Sequence, residues 1–358
     1  MYDITIVGAG PAGATLARLL GNEYKILLLD RRRLDIPLDS FNGAGIEKCC
    51  GGLIAPDAQN MLARMGLGVP REVLVGPQLF TVRTIDIQNK MERYYQRHYI
   101  NIDREKFDRW LFSMIPSHVD TLCGVSFKTF EERSDSLRLK YKLNDKTYEA
   151  DTKYLIGADG ASSIIRRRYF PNNQIQKYIS IQEWFKTNKR IAYYSAIFDS
   201  EITDFYSWTI PKEDYLILGS ALLPNDNPNE RFELLKQKLK GYDFDIGECV
   251  KRNGAYILRP DRTKHIFLGN GRVALIGEAA GWISPTSAEG LSYAFRSATA
   301  LAHSMKASPQ NIIEHYYNKT KSLRLNILSK NLKAPFMYNK NIRRNVLQSG
   351  LLSMDIYK

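Results

Sequence analysis

Residues 4–20 read ITIVGAGPAGATLARLL, an apolar run, a glycine-rich turn and a helix rich in Ala and Leu. Gly8, Gly10 and Gly13 fall at the G-x-G-x-x-G spacing of a dinucleotide-binding turn. The first glycine permits the tight bend, the second lets a pyrophosphate approach the backbone, and the third lets the helix pack close to the strand. Ala12 lies inside the same turn, and the helix N-terminus faces the phosphate charge. A second apolar strand, YKILLLD (24–30), ends in Asp30, where a ribose-binding acid is expected, with Arg31 following as a further cofactor contact.

The whole chain sets limits around this turn. At 358 residues it is too long for one ordinary core, so two domains or one elaborated domain are expected. Hydrophobic residues at 44% and charged residues at 25% suit a globular enzyme. The opening MYDITIVGAG has no basic n-region or cleavage site, and no run of about 18 apolar residues occurs, so neither a secretory leader nor a membrane span is expected. Cys49, Cys50, Cys123 and Cys249 are too few for a disulfide scaffold, and the five histidines show no metal spacing. A cytoplasmic protein without a metal is the expectation. Net charge is +13, spread over short clusters such as Asp30–Arg33 and Arg166–Arg168, with no nucleic-acid signature. Peripheral contact between an anionic membrane and the basic C-terminal stretch, including Arg343 and Arg344, fits this charge, as does a plain solvated face.

Two later stretches narrow the cofactor. YLIGADGASSIIRRRY (154–169) is a strand, an Asp-Gly turn and a helical run; RVALIGEAAGWISPTSAEGLSYAFRSATALAHSM (272–305) is a strand, a Gly-Glu turn, a loop and a long helix. With the first turn they resemble the FAD-dependent oxidoreductase superfamily that includes p-hydroxybenzoate hydroxylase, in which "DG" and "GD" motifs accompany the glycine fingerprint. The resemblance assigns Asp159 to the first motif and Gly277-Glu278 to the second, Glu278 accepting hydrogen bonds from the ribityl chain. Glu stands here where most of the superfamily has Asp, which keeps the charge and adds a methylene. IDREKFDRWL (102–111) is similar to the superfamily's Arg-x-x-Phe-Asp-x-x-Leu helix near the FAD diphosphate and ribose, which places Arg104 there; its periodicity also gives an amphipathic helix with Phe107 and Leu111 inward.

CCGGLIAPDA (49–58) and FYSWTIPKEDYLILGSAL (205–222) resemble two segments of the geranylgeranyl reductase family: a Cys-Gly-Gly run, and an aromatic-x-Trp-x-Phe-Pro pattern followed by Gly-x-Gly. Tyr206, Trp208, Pro211 and Gly219 match, while Ile210 replaces the Phe and Ala221 the second Gly. The wording of the first segment is that of the colicin M resistance type within this group.

The resemblance implies an α/β fold, a Rossmann-like FAD-binding domain of the p-hydroxybenzoate hydroxylase type with an antiparallel substrate sheet and C-terminal helices. The FAD domain would take 1–75, 97–175 and 265–305, the substrate sheet 76–96 and 176–264, and the helical region 306–358. Non-covalent FAD would be contacted by Gly8, Gly10, Ala12, Gly13, Asp30, Arg31, Cys50, Gly51, Gly52, Arg104, Asp159, Gly277, Glu278 and Gly290. An apolar small-molecule substrate would lie against Tyr206, Trp208 and Pro211. The Cys-Gly-Gly segment would pass beside the flavin ring, its glycines admitting a flat cofactor. Cys50 is the candidate catalytic residue, shaping the pocket, tuning the flavin or relaying a proton, or else a small polarizable side chain that fits; Cys49 reads as packing. Backbone N–H groups of Pro285 to Glu289 would face the N1–C2=O edge of the ring. The implied activity is hydride delivery from flavin N5 to a double bond of an apolar, isoprenoid-like substrate, with NAD(P)H or a reduced protein carrier as electron donor. The alternatives are a flavin monooxygenase, or an FAD-containing lipid- or partner-binding protein with little turnover.

Overall fold

The computed structural model describes residues 1–37, 49–172, 174–307 and 310–357. Residues 38–48, within the first expected FAD-binding segment, lie outside the described residues.

The strand Tyr2–Val7 is buried from Ile4 onward on both faces, as befits the middle of a parallel sheet. It pairs in parallel with Ile26–Asp30 on one side and Lys146–Gly157 on the other. Val273–Leu275 and Asp120–Cys123 extend this parallel core outward. A meander, Ser126–Glu132 and Leu137–Leu143, hangs antiparallel on the outer half of Lys146–Gly157. The helix Pro11–Leu20 carries small residues at Ala12, Gly13, Ala14 and Ala17, all buried, and packs closely against the helix Leu291–Ala307.

A second sheet runs in the order Cys249–Arg259, Gln176–Lys186, Tyr215–Leu222, Ser207–Lys212, Tyr193–Phe198, Leu79–Asp86, Met91–Asn101 and Ser353–Met354. The short strand Leu53–Ile54 joins it by pairing with the end of Met91–Asn101. Neighbours are antiparallel except Tyr193–Phe198 beside Leu79–Asp86. Those two strands are joined through the long excursion into the first sheet and not by a hairpin, so nothing in the connection forces them antiparallel. The expected antiparallel sheet is thus present with one parallel pair. The domain limit expected at 97 falls inside Met91–Asn101, which stays in the second sheet until it reaches the helix Arg104–Ser113.

The C-terminal stretch forms the helices Ile312–Lys319, Lys321–Tyr338 and Lys340–Ser349, then returns Ser353–Met354 to the edge of the second sheet. Arg343 is not a surface cation. Its Nε donates to Asp86 Oδ2 at 2.7 Å and its Nη2 to Asp86 Oδ1 at 3.1 Å, both side chains being buried. Arg344, one position along the helix, is exposed. Of the two arginines named for contact with an anionic membrane, Arg343 is thus withdrawn into the protein while Arg344 is exposed, because adjacent helical residues point about 100° apart.

Arg343→Ala leaves the Asp86 carboxylate buried without its guanidinium, and should cost roughly 3–5 kcal/mol of unfolding free energy. Urea unfolding checks this; a loss below about 1 kcal/mol would mean that the pair does not anchor the C-terminal helices.

Candidate active site

The dinucleotide turn is closed toward protein and open on one side. A Cβ on Gly13 would lie 1.8 Å from Gly8 O, and one on Gly8 would lie 2.4 Å from Ala158 O. A Cβ on Gly10 would meet nothing within 4 Å. Gly10 caps the helix Pro11–Leu20 without a side-chain acceptor, which leaves helical N–H groups for an anion. Ala12 packs on the Gly-Glu turn, where a Cβ on Gly277 would come within 2.9 Å of it.

The acids around this turn are held in different ways. Asp30 Oδ2 accepts from Ala9 N at 2.6 Å, and its Oδ1 from Arg32 N at 2.7 Å. Arg31 is exposed, whereas Arg32 turns inward and donates to Asp108 Oδ2 at 2.7 Å. Arg104 Nε donates to the other Asp108 oxygen at 2.8 Å. Burial pushes the Asp108 carboxyl up, but the guanidinium charges of Arg104 and Arg32 override this and hold it below the usual carboxylate range. Asp159 accepts from Ile164 N at 2.8 Å with one oxygen, while the other is buried and has no partner among the described residues. Burial pushes this carboxyl up. Glu278 Oε1 accepts from Leu258 N at 3.1 Å, so the longer side chain has a use of its own in tying the turn to the second sheet. An uncapped helix, open space before Gly10 and an orphaned buried acceptor fit an FAD diphosphate and its hydroxyls.

The Cys-Gly-Gly segment lies across the strand Ser207–Lys212. Strand alternation puts Trp208, Ile210 and Lys212 on the face that meets it. Oriented with its oxygen toward the donors, the Gln182 amide accepts from Gly51 N at 3.3 Å and Trp208 Nε1 at 3.2 Å. A Cβ on Gly51 would lie 2.3 Å from Ile210 Cδ1. Gly52 has φ +64°, and a Cβ there would lie 2.3 Å from Ile102 O and 2.7 Å from Lys212 Nζ. These glycines are needed for protein packing, whatever approaches from the other side. Gly219 pairs with Trp208 across the sheet, and a Cβ on it would come within 2.3 Å of the indole. Pro211 pairs with Leu216, which belongs to the core on the sheet's opposite face. Pro211 therefore does not share a face with Tyr206 and Trp208, contrary to the expected grouping.

Lys212 was not singled out by the sequence, although the alternation from Trp208 leads to it. Its ammonium is buried and donates to Ile102 O at 2.6 Å, Gly52 O at 3.1 Å and Asn101 Oδ1. Burial pushes its pKa down to about 7, with the nearby Cys50 opposing. Cys50 Sγ accepts from Arg104 Nη1 at 3.3 Å and from Gly52 N at 3.5 Å. Cys49 is buried, with Sγ 3.9 Å from Ser180 Oγ.

Beyond the segment stands an aromatic wall that includes Tyr99, Tyr194, Phe198, Phe205, Tyr206 and Trp208, with Tyr338 packed against it. The wall grips the loop Ser284–Glu289 by its carbonyls. Arg259 Nε donates to Pro285 O at 3.1 Å, Tyr206 OH to Ser287 O at 2.6 Å, and Tyr338 OH to Thr286 O. Glu289 accepts from Tyr99 OH at 2.9 Å and Arg97 Nη2 at 3.0 Å. The N–H groups of Glu289 and Gly290, just before the helix Leu291–Ala307, have no acceptor among the described residues. The structure thus brings Tyr206, Trp208, Cys50, Gly51 and Gly52 together, with Arg104 bonded to the sulfur. Gln182 and Lys212 join them as residues the motifs did not reveal.

No family model matches the chain. Protein CbrA of Escherichia coli O157:H7 is 38% identical over 350 residues, covering 98% of this chain and 97% of that protein. Protein CbrA of Shigella sonnei is 37% identical with the same coverage. Among solved structures, a geranylgeranyl bacteriochlorophyll reductase-like protein from Thermoplasma acidophilum aligns with a TM-score of 0.78 at 17% identity, over 97% of this chain and 90% of that one. PqsL from Pseudomonas aeruginosa, a "probable FAD-dependent monooxygenase", aligns with a TM-score of 0.70 at 17% identity, over 98% and 99%. At these identities the structural likeness concerns the fold, which is the FAD-binding fold of the p-hydroxybenzoate hydroxylase-like group.

Two variants test the site. Gly10→Val has room and extended backbone (φ −68°, ψ −176°), so it should fold and melt as the wild type does, yet retain no FAD after reconstitution. Wild-type FAD affinity in this variant would place the nucleotide elsewhere. Lys212 has a folded-state pKa depressed from about 10.5 to about 7. Its titration contributes stability in full above about 10.5, and that contribution is lost as pH falls to about 7. The stability difference between wild type and Lys212→Met should therefore move in favour of the wild type as pH rises from 7 to 9. A difference independent of pH in denaturant unfolding would show that Lys212 does not titrate in this window.

Proposed function

The chain belongs to the CbrA family, and we propose that it is an FAD-dependent oxidoreductase that reduces a carbon–carbon double bond of an apolar, isoprenoid-like substrate. The observation that carries this reading is the packing of the Cys-Gly-Gly segment on Trp208, Ile210 and Lys212. It joins into one unit the two motifs that resemble geranylgeranyl reductases.

When bound, the flavin supplies the hydride. Gly10 and the N-terminus of the helix Pro11–Leu20 would hold the diphosphate, and Asp159 and Glu278 the hydroxyls. The N–H groups of Glu289 and Gly290, at a helix N-terminus, are placed to stabilise negative charge on the ring. Tyr99, Tyr194, Tyr206 and Trp208 orient an apolar substrate and exclude water from it. Burial pushes the Tyr206 phenol well above its ordinary range, so this group stays protonated. Hydride addition to a double bond leaves the neighbouring carbon in need of a proton. Cys50 Sγ can give one, with Arg104 and the Gly52 N–H stabilising the thiolate left behind.

The test is anaerobic. FAD-loaded protein is reduced with dithionite, freed of excess reductant, and mixed with geranylgeraniol. Reoxidation of the flavin absorbance with a product two mass units heavier supports the reading. Oxygen consumption with an oxygenated product would assign a monooxygenase instead, and no reaction in either assay would leave a binding role. Cys50→Ser should keep the flavin spectrum while lowering turnover by about 10²-fold, and Cys49→Ser should change neither. Equal turnover in the two variants would remove Cys50 from the chemistry.

A further inference from the structure

The helix Lys321–Tyr338 is apolar on two opposite sides. Leu323 and Ile327 are buried in the core, and Met337 and Tyr338 pack on the aromatic wall. On the outer side Leu325, Leu328, Leu332 and Phe336 are 56%, 45%, 69% and 55% exposed. Their spacing of three, four and four residues puts them on one helical face, a stripe about 17 Å long at 1.5 Å per residue. No described residue covers it. A single exposed Leu is ordinary on a protein surface, but four large apolar side chains aligned on one helix are not.

The charge around the stripe says what could cover it. From His315 to Met354 the chain carries eight Lys and Arg and no Asp or Glu. Arg343 is spent on Asp86, and Lys330 turns toward the Tyr293 ring. Lys319, Lys321, Lys333, Lys340 and Arg344 are exposed. By helical rotation Lys321 continues the stripe at its N-terminal end and Lys333 flanks it on one side; on the other side Arg324 is held by Tyr317 O, Thr320 Oγ1 and the Tyr317 ring. A second copy seated on this face would bring like charges together, whereas an anionic surface would meet a positive counterpart at every edge. No helix of the described residues is long and apolar enough to cross a membrane, so the contact must be interfacial.

We propose that the outer face of the helix Lys321–Tyr338 is a docking surface for an anionic lipid bilayer. Leu325, Leu328, Leu332 and Phe336 enter the headgroup–acyl boundary, and Lys321 and Lys333 meet lipid phosphates. The inner side of the same helix packs Met337 and Tyr338 on the aromatic wall, so the stripe and the wall lie on two sides of one element. The docking itself holds whether or not the reductase reading does.

Co-sedimentation with phosphatidylcholine vesicles containing phosphatidylglycerol, against pure phosphatidylcholine, tests the proposal at low and at high salt. The full chain should pellet with the anionic vesicles at least tenfold more strongly, and the difference should shrink as salt screens the phosphates. Leu328→Glu/Leu332→Glu should abolish pelleting at least tenfold while leaving the melting temperature unchanged, because both positions are exposed. Val250→Glu, which adds charge at an exposed apolar residue of the other edge strand, should leave pelleting unchanged. Absence of binding to anionic vesicles at low salt overturns the proposal. Binding that survives the double substitution, or falls equally with Val250→Glu, overturns it too. Self-association in sedimentation velocity that the double substitution removes, with no vesicle binding, would assign the face to a second copy.

Discussion

A charged ammonium inside the protein is costly unless every donor finds an oxygen, and Lys212 meets this condition with groups from separate stretches of chain. Gly52 belongs to the Cys-Gly-Gly segment, Asn101 and Ile102 to the exit from the long strand Met91–Asn101, and Lys212 to a central strand of the second sheet. Two of the three acceptors are backbone carbonyls, and Gly52 O also accepts from Ile102 N at 2.9 Å, so lysine and backbone hold the same crossing of chains. Replacing the lysine by an apolar residue would take a donor from all three oxygens, Gly52 O keeping only the Ile102 N–H. The ammonium thus fixes where Gly52 sits, and with it the orientation of Cys50.

From Cys50 a continuous run of polar contacts leads to the dinucleotide turn. The sulfur meets Arg104, Arg104 meets Asp108, Asp108 meets Arg32, Arg32 meets Asp30, and Asp30 receives the Ala9 N–H. Carboxylates alternate with guanidiniums along it, so each buried charge is compensated by its neighbours instead of by water. The segment that would face the reacting part of a cofactor and the turn that would hold its phosphates are therefore registered to each other through side chains. An account of either motif alone misses this. The sheet core and the glycine turn are each stable arrangements, but their relative placement rests on buried ionic contacts with fixed geometry.

Where the backbone itself sets the requirement, the sequence was readable. Gly8 and Gly13 must lack side chains, and the strand–turn–helix order follows from their spacing. The inward Phe107 and Leu111 followed from local pattern in the same way. What could not be read depended on rotation and partner. Among three successive arginines, Arg31 to Arg33, only the fold decides that the middle one turns inward. Arg343 and Arg344 differ by one helical step, yet one is an internal ion pair and the other a surface cation. Pro211 matched a motif by position but falls on the wrong side of the pleat. Gln182 carries no motif at all, and joins the two motifs only because the sheet brings its strand beside both.

The aromatic wall shows the same dependence on distant chain. Its grip on the loop Ser284–Glu289 uses Tyr206 from the sheet, Arg259 from the edge strand and Tyr338 from a C-terminal helix. Arg259 also lies over the rings of Phe205 and Tyr338, at 4.4 and 4.5 Å from their centres, so a single guanidinium packs the wall and holds a loop carbonyl. Three successive carbonyls are drawn to the wall, and the N–H groups of Thr286, Ser287 and Ala288 turn back to Ser284, which leaves those of Glu289 and Gly290 before the helix Leu291–Ala307. The electrostatic character of that loop is thus set by residues far away in sequence. Tyr338 is the element that reaches furthest, because its helix bears a second apolar face outside. The last turn of that helix is bonded to the loop through Tyr338 OH and Thr286 O. The C-terminal region therefore contributes a residue to the candidate site as well as an apolar face to the surface.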